Sequence, residues 1–289
     1  MVSKSTVRVA FLGPKGSYSY IAAMKYSDIY FEKIVQYSCC RFYDIFTLVE
    51  SCCVEYGIVP IENSSTGLIN EVCNLLLNTS LFLVGEITIP IKHCILVDSC
   101  VDINHVQTIY SHPQPIIQCS EFLKKYFSIW KIIFCESSAA AMKTVSELNQ
   151  FNLAALGSMQ GGKYYGLHPL LKSNISNCQK NMTKFFILRK KNFIHIKNSI
   201  NIKTIIIVSI NKKSEKLYEI FKILEFYRKK VNYLRTKIVW RNQLNKTIAI
   251  IDITTCIYDV YMKQILIILK NIVDSLKILG CYSIRHDTI

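Results

Sequence analysis

Arginine is scarce in this chain: only 7 of its 35 lysine and arginine residues are arginine. The planar guanidinium fork is what suits a side chain to base edges and phosphates. Its shortage, with the lysines scattered, argues against a dedicated nucleic-acid binder despite a formal net charge of +15. Lys, Ile and Asn are abundant together, the mark of an AT-rich coding bias, and a basic surface still draws in small polyanions. Long apolar runs are also missing. Ile265 to Leu269 is closed off by Lys263 and Lys270, far short of the ~20 residues of a membrane span. Met1 to Thr6 is polar and lacks the apolar stretch of a signal peptide. A cytoplasmic protein with neither a membrane nor a nucleic-acid partner is expected.

Metal and redox motifs are absent too. Of the 12 cysteines, the adjacent pairs Cys39-Cys40 and Cys52-Cys53 do not have zinc-ligand spacing, and no Cys-x-x-Cys occurs. A chain this long needs no disulfide scaffold, so the thiols are expected reduced and mostly buried. Gly13-x-x-Gly16 is too short for a phosphate loop and is not followed by Gly-Lys-Ser/Thr. No Ser/His/Asp set, paired-carboxylate pattern or His-x-x-x-His pair is evident, and His112 reads as a structural or surface histidine.

What the chain does have is bulk and rhythm. Half its residues are hydrophobic, enough for about two domains. Strands are expected at Val7–Leu12, Tyr56–Val59, Thr108–Tyr110, Ile132–Cys135, Asn152–Leu156 and Phe185–Arg189, with Phe82–Leu96 extended and Pro90 at an edge or crossing. Helices are expected at Ser19–Tyr26, Phe42–Cys52, Gly67–Leu77, Ile116–Tyr126, Ala139–Leu148 and Met159–Tyr164. This alternation predicts an α/β class with two lobes around a cleft. Lys190 to Asn201 reads as a linker. Beyond it a β-α-β-β-α-β order spans residues 202 to 283, the ferredoxin-like sequence of elements.

The polar segments fall where strands hand over to helices. Ser137-Ser138 and Gly157-Ser158 are N-cap signals, and helix N-termini favour anions through free amides and the dipole. Several of them facing one cleft suit a small dicarboxylate. Thr183, in Asn181-Met182-Thr183-Lys184-Phe185, is by type a strand former; a functional reading makes its hydroxyl a donor to a leaving group.

Five segments in order change the weight of these features: Val9 to Ser19 (VAFLGPKGSYS), Val59 to Ser64 (VPIENS), Ser111 to Gln114 (SHPQ), Ala154 to Ser158 (AALGS) and Asn181 to Phe185 (NMTKF). Over about residues 6 to 190 the chain resembles prephenate dehydratase. Residues 202 to 283, ending in Leu279-Gly280-Cys281-Tyr282, resemble the ACT regulatory domain that follows in that family. The resemblance implies a two-lobed fold like a type 2 periplasmic binding protein, with domains at 6–189 and 202–283. It implies conversion of prephenate to phenylpyruvate, water and CO2 without metal or organic cofactor, and a homodimer or tetramer. Thr183 matches the family's essential threonine. Glu62, Asn63, Ser64, Ser111, Gln114, Gln118, Ser138, Ser158 and Lys184 are the expected substrate contacts.

Three departures carry expectations. Lys184 stands where the family has Arg, a point charge in place of a fork. The chain starts almost at its first strand, so no chorismate mutase activity is expected. Glu215 to Tyr218 and Thr236 to Val239 replace the family's two phenylalanine-site motifs, so feedback inhibition is expected to be weak or absent. Arogenate dehydratase and a non-catalytic small-acid binder are the alternatives.

Overall fold

The computed structural model describes residues 6–98, 102–125, 130–171, 174–191, 202–211, 214–230, 236–243 and 246–283. Lobe one begins β1 (Val7–Leu12), α1 (Tyr18–Tyr30), β2 (Ile34–Cys39), α2 (Phe42–Glu50) and β3 (Tyr56–Asn63). It continues through β4 (Gly67–Leu68), α3 (Asn70–Asn78) and β5 (Phe82–Pro90). The chain then crosses to lobe two: β6 (Cys94–Val97), β7 (Thr108–Ser111), α4 (Pro113–Gln118), α5 (Ser120–Leu123) and β8 (Lys131–Phe134). Lobe two closes with α6 (Ser138–Leu148), β9 (Leu153–Gly157), α7 (Met159–Tyr164) and β10 (His168–Pro169). It returns to lobe one as β11 (Met182–Arg189).

The two sheets are built alike. Lobe one has the order β2-β1-β3-β11-β5 and lobe two β8-β7-β9-β6-β10. In each, three parallel strands are followed by an antiparallel fourth that has arrived from the other lobe. The expected two-lobed α/β fold is therefore present. The two crossing segments run side by side, the Ile91 amide donating to the Asn181 carbonyl at 2.8 Å. Thr183 lies just beyond this crossing.

Alternation along β11 feeds two cores. Phe185 packs with Val9, Phe11 and Ile58 under α1, while Phe186 packs on the opposite face with Val59, Ile61 and Leu188. Both rings are about 1% exposed, and each fully buried phenylalanine contributes about 1.5–3 kcal/mol.

The C-terminal part comprises β12 (Ile202–Asn211), α8 (Ser214–Lys230), β13 (Thr236–Gln243), β14 (Lys246–Ile253), α9 (Val260–Ile272) and β15 (Ser275–Ser283). Its sheet order is β13-β14-β12-β15, antiparallel throughout, the ferredoxin-like arrangement. One face, with Ile206 and Val208, holds the helices. The other, with Ile205, Ile207 and Leu279, joins the core of lobe one. Lys277 caps the end of α3 by donating to the Leu76 carbonyl at 2.9 Å and to the Thr79 carbonyl, the end of the helix dipole that favours a cation. At Gly280 a Cβ would run into the Leu83 carbonyl. Gly280→Ala should therefore destabilise the chain by about 1–3 kcal/mol, read as a lower Tm; an unchanged Tm would contradict this close packing.

Some elements differ from the sequence expectation. β2 is an edge strand whose Gln36 and Ser38 dilute its apolar pattern, so the sequence does not announce it. The helix expected over Ile116–Tyr126 is two short ones, broken at Cys119, and it starts earlier because Pro113 occupies its first turn behind the capping His112. The extended stretch from Phe82 to Leu96 splits into β5 and β6 in different lobes, with Pro90 at the crossing. Residues 192–201 of the expected linker, and 231–235 within the expected β-α-β-β-α-β part, lie outside the described residues. Among the described residues, no helix is long and apolar enough to cross a membrane.

Candidate active site

Between the lobes lies a cavity of about 340 Å³, lined by the strand ends and helix starts of both. Leu12, Gly13, Ser17 and Ser19 come from the end of β1, the turn after it and the start of α1, Asn63 and Thr66 from β3 and its turn, and Thr183 from β11. His112, Gln114, Gln118, Ser137 and Ser138 come from lobe two. It adjoins a second hollow of about 570 Å³ through Thr66, His112, Gln114 and Gln118.

Thr183 is paired in register with Asn63, and the Asn63 amide Nδ2 donates to Thr183 Oγ1 at 2.8 Å. Both side chains are under a tenth exposed. The orientation of the Asn63 amide follows from its other end: Oδ1 accepts from the Ser65 and Thr66 amides at 3.0 and 3.1 Å. A backbone amide can only donate, so the carbonyl end must face the turn and the NH2 end must face Thr183. Thr183 Oγ1 therefore has a lone pair occupied and its proton available for an acceptor in the cleft.

This pairing depends on an irregularity. Thr183 opposes Asn63 and Lys184 opposes Glu62, but Phe185 opposes Pro60. Ile61 is the extra residue of a β-bulge, which re-aims the side chains that follow it. Pro60 and Asn63 thus both reach the cleft, while Ile61 and Glu62 both face away.

Two expected contacts are corrected by this geometry. Glu62 lies on the face of the sheet turned toward the C-terminal part, not in the cleft. Lys184 lies there too, since strand alternation sends it opposite to Thr183, and it pairs with Glu86 and Asp252 at 2.9 and 3.0 Å. Three serines also stand outside the lining. Ser64 supports the turn, donating to Asn181 Oδ1 and accepting from the Met182 amide. Ser111 is fully buried and donates to the His112 carbonyl. Ser158 is buried and caps α7 through the Gly161 amide. Asn63, Gln114, Gln118, Ser138 and Thr183 do converge on the cleft.

The structure adds residues that the sequence does not single out. His93, at the crossing, is 2% exposed, and its Nε2 lies 2.8 Å from Gln118 Oε1. An amide oxygen only accepts, so Nε2 carries the proton and Gln118 keeps its NH2 group for another partner. Burial lowers the His93 pKa below the ordinary histidine value, against the opposing effect of Gln118, which favours the neutral ring. Tyr18 donates to the Lys92 carbonyl at 2.7 Å, and burial raises its phenol far above the usual range. A polar residue just after Pro90 is the available signal for His93, but nothing local tells a buried histidine from an exposed one. His112 caps α4, its Nδ1 accepting from the Gln114 amide at 3.2 Å.

Besides α4, three helices open toward the cavity. Ser17 caps α1 and Ser137 caps α6 through side-chain oxygens, and α3 starts at the lining residue Ile69 without a side-chain cap. Their N-terminal partial charges supply positive potential in a lining that includes no Lys or Arg among the described residues.

The chain matches the family model described as prephenate dehydratase over residues 9–193. It is 40% identical to the bifunctional chorismate mutase/prephenate dehydratase of Enterobacter agglomerans over 275 residues, 95% of this chain and 70% of that protein. It is 33% identical to arogenate dehydratase/prephenate dehydratase 2, chloroplastic, of Arabidopsis thaliana over 208 residues, 72% of this chain and 52% of that protein. In fold it is similar to prephenate dehydratase from Arthrobacter aurescens, solved in complex with L-Phe. That likeness has a TM-score of 0.78 at 20% identity and covers 98% of this chain and 91% of that one. With the family model spanning more than half its length, the chain belongs to the prephenate dehydratase family of carbon–oxygen lyases.

Proposed function

We propose that the cleft turns prephenate into phenylpyruvate, water and CO2, with Thr183 as the donor to the departing hydroxyl. The observation that carries this is the Asn63–Thr183 hydrogen bond, which occupies the oxygen and leaves the proton for the cleft. In the reaction the ring C–O bond breaks and its electron pair leaves with the oxygen. The pair of the C–CO2 bond enters the ring, and CO2 departs. The oxygen, hydrogen-bonded by Thr183 as its charge grows, takes a proton from solvent to become water. Aromatisation drives the step, so the protein mainly has to orient the dianion and stabilise the leaving oxygen. The N-termini of α1 and α6, with Ser17, Ser19, Ser137 and Ser138, are the groups we assign to the carboxylates. Gln114 and Gln118 are assigned to further polar contacts.

One observation favours arogenate as a second substrate. Glu136, on the rim, is the one carboxylate among the described lining residues and is suited to an amino group. Purified protein should release phenylpyruvate from prephenate faster than phenylalanine from arogenate; the reverse ranking would reassign the substrate, and no turnover of either would overturn the reading.

Residues 6–189 are proposed as the catalytic domain, with residues 202–283 as an ACT-like part that assembles a homodimer or tetramer. Glu215 and Thr236–Val239, where the family's phenylalanine-site motifs are replaced, have side chains outside the described residues. Our proposal that feedback is weak or lost rests on the sequence replacement, because bulk and charge obstruct close approach of a ligand. Prephenate turnover should be unchanged at phenylalanine levels that saturate an ordinary feedback site, and inhibition at low phenylalanine would contradict it.

A further inference from the structure

Behind the cleft, four charged side chains meet between lobe one and the C-terminal sheet. Lys184 of β11 bonds Glu86 of β5 at 2.9 Å and Asp252 of β14 at 3.0 Å. Lys203 of β12 bonds the same two carboxylates, at 2.6 and 2.9 Å. Tyr282 of β15 donates to Glu86 at 2.8 Å. The four charged groups are only 12–17% exposed, and they balance. Each lysine bridges the two sheets, Lys184 from the catalytic side and Lys203 from the other. Burial opposes the charges of Lys184 and Glu86, but attraction to their partners prevails for both: the Lys184 pKa is raised and the Glu86 pKa lowered.

Such a square is a poor device for adhesion alone. Apolar packing of similar volume is often as stabilising as a buried ion pair, and the surrounding contact is already apolar, through Ile205, Ile207 and Leu279. What an ion-pair square adds is fixed geometry. It fixes β11 at Lys184, the residue next to Thr183, and does so beside the bulge where the β3–β11 ladder is irregular. Thr183 and Lys184 share a peptide unit and face opposite sides of one sheet, so a shift at one is transmitted to the other.

We propose that Lys184 is a positioning residue: through Glu86 and Asp252 it fixes the stretch of β11 that presents the Thr183 hydroxyl, and so couples docking of the C-terminal sheet to turnover. The inference rests on the reading of Thr183 as donor. That reading is tested separately, by turnover of prephenate by the wild-type chain and its loss in Thr183→Val.

The test is a set of Lys184 variants assayed on prephenate, with the fold followed by circular dichroism and Tm. Because a small misplacement of a reacting group is costly, Lys184→Met should lower kcat about ten- to a hundredfold with little change in KM. Lys184→Arg, which keeps the charge, should restore most of it. Lys184→Met leaves one buried carboxylate uncompensated and can fail to fold for that reason alone. The pair Lys184→Met with Asp252→Asn restores the balance and removes that risk. It should recover Tm and keep the kcat defect. Wild-type kcat in the balanced pair, or in a folded Lys184→Met, would overturn the proposal and reduce Lys184 to charge neutralisation. A defect confined to KM would overturn it as well.

Discussion

Thr183→Val should lower kcat on prephenate by about 10²–10³, the range for losing one preorganised hydrogen-bond donor to a developing oxyanion, while the fold survives. Valine keeps the branched shape on a buried strand and removes only the hydroxyl. The stability cost should be modest, about 1–3 kcal/mol, because Asn63 Nδ2 loses its buried acceptor. KM should change little: the carboxylates are assigned to the α1 and α6 N-termini, on other elements. A loss of Tm too large for one hydrogen bond, or a rise in KM without a fall in kcat, would point to a structural or binding role instead.

The second large effect is expected from Asn63→Asp. The side-chain oxygen that accepts from the Ser65 and Thr66 amides remains available in aspartate, so the turn should persist. The donor to Thr183 does not remain. Two carboxylate oxygens can only accept, and the Thr183 proton would turn toward the new carboxylate rather than the cleft. The kcat loss should therefore approach that of Thr183→Val, about a hundredfold or more. The new negative charge sits in a site less than a tenth exposed and repels a dianion, so KM should rise. Asn63→Ala, which also strips the turn of its acceptor, should lower Tm more than Asn63→Asp does. Full activity in Asn63→Asp would show that the direction of this hydrogen bond is irrelevant.

The contrast between Asn63 and Glu62 shows where sequence reading reaches its limit. The ordered motifs bring both to the cleft region, and the alternation of helices and strands yields the two-lobed class and the ferredoxin-like order at the C-terminal end. Simple period-two alternation from Pro60 would put Glu62 in the cleft and Asn63 behind it. The bulge at Ile61 reverses this, and nothing in Val59 to Ser64 announces a bulge. Lys184 is misplaced by the motif for a related reason: proximity to Thr183 in sequence is not proximity to substrate, because neighbours on a strand face opposite ways. His93 and Tyr18 escape a sequence reading because their roles come from contacts across the crossing, Tyr18 to Lys92 and His93 to Gln118, which no local pattern encodes. The ion-pair square draws one residue from each of β5, β11, β12 and β14, so it too exists only once the sheets are docked.

The ratio of kcat in Thr183→Ser to kcat in Thr183→Val, measured on prephenate under identical conditions, tests the role of the hydroxyl most directly. Serine keeps the oxygen that Asn63 holds and the O–H that it presents to the cleft, whereas valine keeps the shape. A donor role predicts that the serine variant retains a substantial part of wild-type turnover and exceeds the valine variant by about a hundredfold. Equal turnover in the two would contradict it.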